Sequence, residues 1–495
     1  NNNDDREAED VEVAVVDDEE EEEQQLPPAG HPGPDQPALP PAPLPVPPRA
    51  GPQVQAVGEQ EDGEAPQGPA PVTEEGDITA RLDPEVPGPR PLTGPEDEDG
   101  WREIDTVGAW DCALTEFHPM EDVPFHLRGL WAKAMDTILW RIQAEPEEGI
   151  ALERGLKWLL LAPQAFLRMA SKGGAAGRSL VASRFNAMAR GDWGQVFRLW
   201  VRDREKMREK AERRQRSGRP EKEPSKEEEE ERLTKRVMGL IGKAHVSKGV
   251  RGLTSNGVAD CRDPVVKATL GSKYRPRGRE LPATVQRGQC IDSLAALRSR
   301  LFSLQPGSAA GSGGMRPEFL LTLAQELEDE QMSRLEDLGT RYLNHTLPPW
   351  FDKVWLSQET VALFKTKEKL PTQLRPIGMR NPLVKTFNKE AIQQKKSKLT
   401  DHLEPQQLWM SVAGGHLLVH AIRMTLEANP EAVCLKMDFH NAHTSVSRRA
   451  VVDSLLAAPT LRHIAWHAAC VLAPATALES RGKVWGEQPE GGTQG

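Results

Sequence analysis

The chain has 495 residues, room for two or three domains, with a formal net charge of −11 and 5 cysteines. Its longest apolar runs, such as Trp158–Ala162, fall far short of a membrane span. The scattered Cys112, Cys261, Cys290, Cys434 and Cys470 contain no C-x-x-C pair, which argues against a disulfide framework or zinc ribbon and fits a reducing compartment.

The net charge averages two unlike pieces: residues 1–100 hold 27 acidic and 4 basic residues, contributing −23, so that residues 101–495 contribute +12. A basic body with an acidic tail suits a nucleic-acid binder whose tail solvates or masks it, and a basic body with no polyanion partner is the plainer alternative. The tail, opening on Asn1-Asn2-Asn3 and passing through the Asp17–Glu23 run into Pro/Gly/Gln/Ala-rich sequence, has too little apolar area to offset chain entropy and is expected to be disordered.

From 101 to 203, Leu, Trp, Phe and Met recur at helical spacing and predict a helical domain. Residues 204–235 are almost wholly charged and read as an exposed helix or linker. Residues 236–350 predict further helices leading into the next region, with Pro317 opening one that carries Leu320, Leu323 and Leu327 on one face. From 351 to 495 strands and helices mix: a strand over 359–364, a basic helix over 383–400, a helix over 417–426, and a buried strand over 432–437 that gives out at Asp438 before a helix beginning near Arg449. A carboxylate at such a strand end can hold a metal ion.

Between Lys365 and Lys398 stand ten basic residues and two acidic ones, Glu368 and Glu390. Within that stretch, Leu374-Arg375-Pro376-Ile377-Gly378 fixes an extended backbone at Arg375. A guanidinium presented beside lysines suits a triphosphate or a nucleic-acid backbone, and a solvated basic helix is the alternative. Further on come Gln406-Gln407-Leu408, Gly414-Gly415-His416, the segment Lys436 to Arg448, and Gly486 to Gly495.

In order and spacing this series resembles the reverse transcriptases of non-LTR (LINE-type) retrotransposons, over their fingers and the first half of their palm. Leu374–Gly378 resembles the "RPI" element and Lys436–Arg448 polymerase motif A, K-x-D-x-x-N-A-x-x-x-x-S-R. Thr493-Gln494-Gly495 resembles the start of motif B, and Pro306–Arg316 the glycine-rich element ahead of the fingers. The resemblance implies an α+β fold of right-hand polymerase fingers and an incomplete palm, and an RNA-directed DNA polymerase acting on an RNA template, a DNA primer and dNTP with Mg2+ (or Mn2+). It also implies an intracellular place, nucleus or cytoplasm. No membrane is expected, since the apolar runs are too short to span one, and nothing in the sequence points to a defined protein partner. Asp438 becomes the catalytic metal ligand, with the Phe439 carbonyl beside it. Arg375 grips the triphosphate, Gln494 lines the nucleotide pocket, and His443 stands where the family has an aromatic residue against the sugar 2′-position. Lys365, Lys367, Arg380, Lys385 and Lys389 are the nucleic-acid contacts. The family's paired-aspartate element follows motif B; the Asp-Asp pairs of this chain are Asp4-Asp5 and Asp17-Asp18, at the other end. The chain is therefore expected to be a fragment that does not polymerise by itself. The other readings are a decayed or domesticated nucleic-acid-binding relic and an unrelated helical interaction protein.

Smaller features have plainer explanations. His463 and His467, one turn before Cys470, have zinc-compatible spacing but fit partly buried or surface histidines equally well. Asp438, His440 and His443 would form a metal site only if the strand continued past Asp438. Gly173–Ser179 and Gly311–Gly314 lack the lysine of a phosphate loop and read as turns between helices. Trp350, Phe351 and Trp409 read as core residues or as stacking platforms for bases.

Overall fold

A computed structural model describes residues 100–495 apart from 115–119, 146–148, 169–174, 217–224, 243–245, 283–284, 405–406, 408–412, 438–441, 481 and 493–495. The acidic tail up to 99 lies outside the described residues, as do Gly173, Gly174, Trp409, Asp438, Phe439, His440 and Gln494.

The amino-terminal half of the described chain is helical, as its spacing predicts: α1 (Ala109–Ala113), α2 (Arg128–Ala144), α3 (Ile150–Leu167), α4 (Ala175–Ala189), α5 (Trp193–Arg216), α6 (Lys226–Gly242) and α7 (Val246–Thr254). Trp131, Met135, Ile138 and Ile142 recur every three or four residues, so α2 buries one continuous stripe. In α3, residues 155–167 are buried on every side, which places that helix in the centre of the core. The charged stretch continues α5 and opens α6, whose described side chains are largely exposed.

A two-residue strand, β1 (Val258–Ala259), then precedes α8 (Pro264–Lys273). Asp263 caps α8 by accepting from Val265 N at 2.7 Å, with Pro264 at the first helical position. Next come α9 (Leu297–Phe302), α10 (Pro317–Glu326), α11 (Asp329–Leu343) and α12 (Pro349–Trp355). Pro317 opens α10, and Leu320, Leu323 and the residue that ends it, Leu327, are all buried, as expected. One hydrophobic cluster runs from Trp101 to Ala391 and crosses the limits expected at 203, 235 and 350. Trp101 stacks on Trp158 at 5.3 Å and meets Trp193 edge-on at 4.7 Å. Trp131 packs on Phe319 at 5.8 Å and donates its indole N–H to the Phe319 carbonyl at 3.1 Å, fastening α2 to α10.

The sheet is small and mixed. Its central strand β2 (Gln358–Phe364) pairs antiparallel along its whole length with β3 (Leu374–Arg380), Gln358 opposite Arg380 and Phe364 opposite Leu374. On the other edge of β2, β1 meets Ala362 and Leu363, and β4 (Thr476–Ser480) runs parallel to Gln358–Glu359, with β5 (Lys483–Gln488) antiparallel beyond it. Ala362 and Leu374 pack on α8 from one face, while Val361, Leu363, Ile377 and Met379 fill the other. The remaining elements are α13 (Pro382–Gln394), α14 (Lys396–Leu403), α15 (Gly414–Ala428), α16 (Ala442–Ser445), α17 (Arg448–Ala457) and α18 (Ala465–Leu472). No described helix is long and apolar enough to cross a membrane.

Two expectations are corrected. The basic segment 383–400 is two helices, because the backbone leaves helical geometry at Lys395 (φ −98°, ψ 4°), whose N–H closes off α13 on the carbonyls of Ala391 and Ile392. The apolar run 432–437 is not a buried strand. It has no regular structure, and Val433, Leu435 and Met437 are 90, 77 and 68% exposed. Alternating hydrophobicity yields a strand only where a sheet edge accepts its hydrogen bonds, and no described strand pairs with this run. Cys434 is exposed within it. The preceding helix α15 buries no residue either.

The glycine-rich segment folds into a tight turn beneath the end of β3. A Cβ on Gly311 would lie 2.2 Å from the Arg380 carbonyl oxygen and 2.4 Å from Asn381 N, both backbone atoms with no freedom to retreat. Gly311→Ala is therefore expected to cost ~1–3 kcal/mol, read as a lower midpoint in denaturant unfolding. An unchanged midpoint would show that this approach is not needed.

Candidate nucleic-acid interface

The basic residues singled out in the sequence divide between the two ends of the β2–β3 hairpin. At the connecting end, Lys365 is half-buried and Lys367 exposed, and Lys365 lies near enough to Lys273 to add to the burial that lowers the Lys273 pKa. Arg375 stands opposite Leu363 at this end, half-buried, on the face that carries Ile377 and Met379. At the far end are Arg380, the last residue of β3, and Lys385 and Lys389, exposed one turn apart on α13. Strand alternation puts Arg380 on the opposite face from Arg375, and the seven-residue strands separate the two ends by about 20 Å. The structure therefore does not gather Arg375 and Arg380 at one point. It spaces two basic clusters along one hairpin.

The segment 443–446 meets Gly491 and Gly492, which stand just ahead of Thr493. Gly491 N donates to the Val446 carbonyl at 2.9 Å and Gly492 N to the His443 carbonyl at 2.7 Å. Gly491 holds φ +77°, and a Cβ there would come within 2.5 Å of the Thr444 backbone, so only glycine fits. The side chain of His443 is exposed on the short helix α16.

Arg448, next to this contact, is buried and spends its guanidinium on acceptors from two segments. Nε donates to Gly491 O at 3.1 Å, Nη1 to Leu472 O and Pro474 O at 3.1 and 2.8 Å, and Nη2 to Thr476 Oγ1 and Gln488 O at 3.1 and 3.0 Å. The Glu490 carboxylate accepts from Arg448 N at 2.8 Å and from Gly278 N at 3.3 Å. Burial, then the charges of Arg380 and Arg277, lower the Arg448 pKa to about 10 against the pull of Glu490. Arg448 was legible only as one letter of motif A; its role as a buried hub carries no local sequence signal.

The histidine pair does not form a metal site. His463 and His467 do not converge with Cys470, and among the described residues no group of three His, Cys, Asp or Glu side chains could hold an ion. His467 instead belongs to a polar chain: Nε2 meets Asn388 Oδ1 at 3.0 Å, Nδ1 meets His345 Nε2 at 2.9 Å, and His345 Nδ1 meets Asp352 Oδ2 at 2.9 Å. Asn388 Nδ2 continues it to the Tyr342 hydroxyl at 3.2 Å. Trp350 is half-buried and Phe351 fully buried against Trp355, which makes Phe351 a core residue and no platform for a base. Glu479, unmarked by any motif, is a buried carboxyl on β4 that accepts from the hydroxyls of Ser312 and Ser357.

Glu479 and His467 give opposite pH dependences. Burial raises Glu479 from 4.5 to about 7, against its two serine hydrogen bonds. The folded protein keeps that proton while the unfolded chain sheds it, so this contribution is complete below pH 4.5 and lost as pH rises to about 7. Burial, then the charge of His345, lowers His467 from 6.5 to about 3, so its contribution is complete above pH 6.5 and lost as pH falls towards 3. Where these windows overlap, from pH 4.5 to 6.5, the two offset each other. Glu479→Gln is expected to unmask a stability that climbs with pH through the shared window by ~1.4 kcal/mol per pH unit, and His467→Gln one that falls by as much. Thermal unfolding measured across that range checks both, and variant profiles parallel to the parent would refute the assignment.

No family model matches the chain, and neither a curated protein nor a solved structure matches it.

Proposed function

We propose that this chain carries the fingers and part of the palm of an RNA-directed DNA polymerase of the non-LTR retrotransposon type, and contacts single-stranded template and primer through its basic β2–β3–α13 segment. The observation that carries the reading is the pairing of Gly491 and Gly492 with Val446 and His443. A stretch within the run that resembles motif A and the two glycines just ahead of the residues that resemble motif B, some forty-five positions apart, lie against each other, which supports placing both in one site. The two basic clusters, spaced along the hairpin, suit an extended polyanion better than a compact one.

Asp438, with the Phe439 carbonyl, is the ligand the resemblance offers for Mg2+. The described residues alone do not make such a site. What the described residues do is electrostatic and positional. Lysines on exposed surface neutralise backbone phosphates, and the Arg448 hub fixes the turn that follows Asn441 against Gly491 and Gly492.

Fluorescence anisotropy with a single-stranded oligonucleotide tests the reading. Affinity is expected to fall linearly in a log–log plot against salt, and Lys367→Gln and Lys389→Gln each to reduce the slope by about 1. No binding at low salt, or binding indifferent to salt, overturns it. Primer extension on an RNA template by this chain alone is expected to give no product, since one carboxylate does not hold two ions about 3.5–4 Å apart.

A further inference from the structure

We propose that His345 and His467 share one ionising proton, which answers the buried carboxylate of Asp352 and makes the seat of α18 on α11, α12 and α13 a pH-sensitive latch. The inference goes beyond the nucleic-acid reading and does not depend on it.

The hydrogen bonds of the polar chain fix its protons. Asn388 Nδ2 donates to the Val384 carbonyl at 2.9 Å and to the Tyr342 hydroxyl at 3.2 Å, so its Oδ1 faces His467 and accepts from Nε2 at 3.0 Å. At the other end stands a carboxylate, so His345 Nδ1 donates to Asp352 Oδ2 at 2.9 Å. Between the rings, His345 Nε2 and His467 Nδ1 lie 2.9 Å apart, and one of them must carry hydrogen. Two imidazoles therefore hold three ring protons, one more than two neutral rings carry. Turning the Asn388 amide over would spare that proton only by setting its oxygen against the Val384 carbonyl at 2.9 Å.

The surroundings favour the extra charge. The side chains of His345 and Asp352 are 6 and 14% exposed, and Asp352 Oδ1 has no hydrogen-bond partner. Among the described residues no other basic group pairs with that carboxylate, and a buried carboxylate without a cation is costly. The Leu343 carbonyl, at the end of α11, lies 3.0 Å from His467 Nδ1, where the helix terminus stabilises a positive charge. His345 itself holds φ 51°, a left-handed backbone that is costly outside glycine and that its two ring contacts keep in place.

The other ionisable neighbours bring no charge at neutral pH. The ring of Tyr342, on α11, lies 6.2 Å from that of His345 and 5.9 Å from that of His467, and Cys470 stands one turn along α18; burial raises the pKa of both. Arg380 acts on Tyr342 and Arg287 on Cys470, while the charge that acts on His467 is that of His345. A second proton on the pair would set two N–H groups head-on, and loss of the shared one leaves Asp352 unanswered. Either event loosens α18, whose last residue, Leu472, supplies a carbonyl to Arg448.

In the unfolded chain two ordinary histidines, each of pKa 6.5, together hold one proton at pH 6.5, more below and fewer above. The folded pair holds one across the neutral range, so its contribution to stability grows up to pH 6.5 and is lost above it. The test uses the full chain carrying Glu479→Gln, which removes the carboxyl that titrates nearby, with and without Asp352→Asn. Denaturant unfolding of the first is expected to give an unfolding constant that is smallest near pH 6.5 and rises towards tenfold per pH unit up to about pH 8.5. Adding Asp352→Asn is expected to abolish that rise. A constant that stays flat above pH 6.5, or a rise that survives Asp352→Asn, overturns the proposal. Histidine 15N NMR of the parent at about pH 7.5, assigned with His345→Gln and His467→Gln, gives a reading that does not depend on the Glu479 or Asp352 variants. A free histidine is then about one-tenth protonated, whereas these two rings are expected to carry one cation between them, and two neutral rings overturn the proposal.

Discussion

Arg448 is the constraint on which the carboxy-terminal part of the described structure depends. A guanidinium taken out of water must have its donors answered, and here the answers come from the carbonyls of Leu472, Pro474, Gln488 and Gly491 and the hydroxyl of Thr476. One side chain thereby fixes the start of α17 against the end of α18, the entry to β4 and the exit from β5. The same demand explains why Gly491 and Gly492 lie where they do. At Gly491 the turn is reached only by a backbone without Cβ, and Glu490 closes it by accepting from Arg448 N. Loss of this arginine would leave several carbonyls buried without donors, a larger disturbance than loss of its charge alone.

The sheet is organised by the same economy of buried polar groups. β2 is buried nearly throughout; its first residue, Gln358, is matched across strands by Gln488 at 3.0 Å, and Ser357, just ahead of the strand, by Glu479. The glycine turn joins this network through Ser312, which meets both Ser357 and Glu479. The turn that the sequence marks as glycine-rich is therefore a wedge between β3 and β4, and the tightness at Gly311 follows from that position.

Elements with a strong local signal were legible in the sequence. The stripe in α2, Pro317 at the start of α10, and the extended backbone imposed on Arg375 by Pro376 all follow from chemistry within a few residues. What was not legible depends on partners distant in the chain. The run 432–437 has strand composition but no edge to join, and the basic clusters were contiguous in sequence yet separated by strand length and by alternation across the sheet. Arg448, Glu479 and the His467 chain are joined to residues between 24 and 167 positions away, which no window of the sequence reveals. The zinc-like spacing of His463 and His467 is the converse case, a local pattern that the packing uses for something else.

The exposed run after Pro430 has a practical consequence through its cysteine. Burial pushes the thiols of Cys112, Cys290 and Cys470 up to about 12, 11 and 11, which suppresses the thiolate that alkylating reagents require, and Cys261 is enclosed beside the sheet. Cys434 alone of the five is open to solvent. A maleimide dye added to the native protein will therefore settle preferentially four positions before Asp438, an optical reporter on the neighbourhood of that carboxylate without any engineering of the chain.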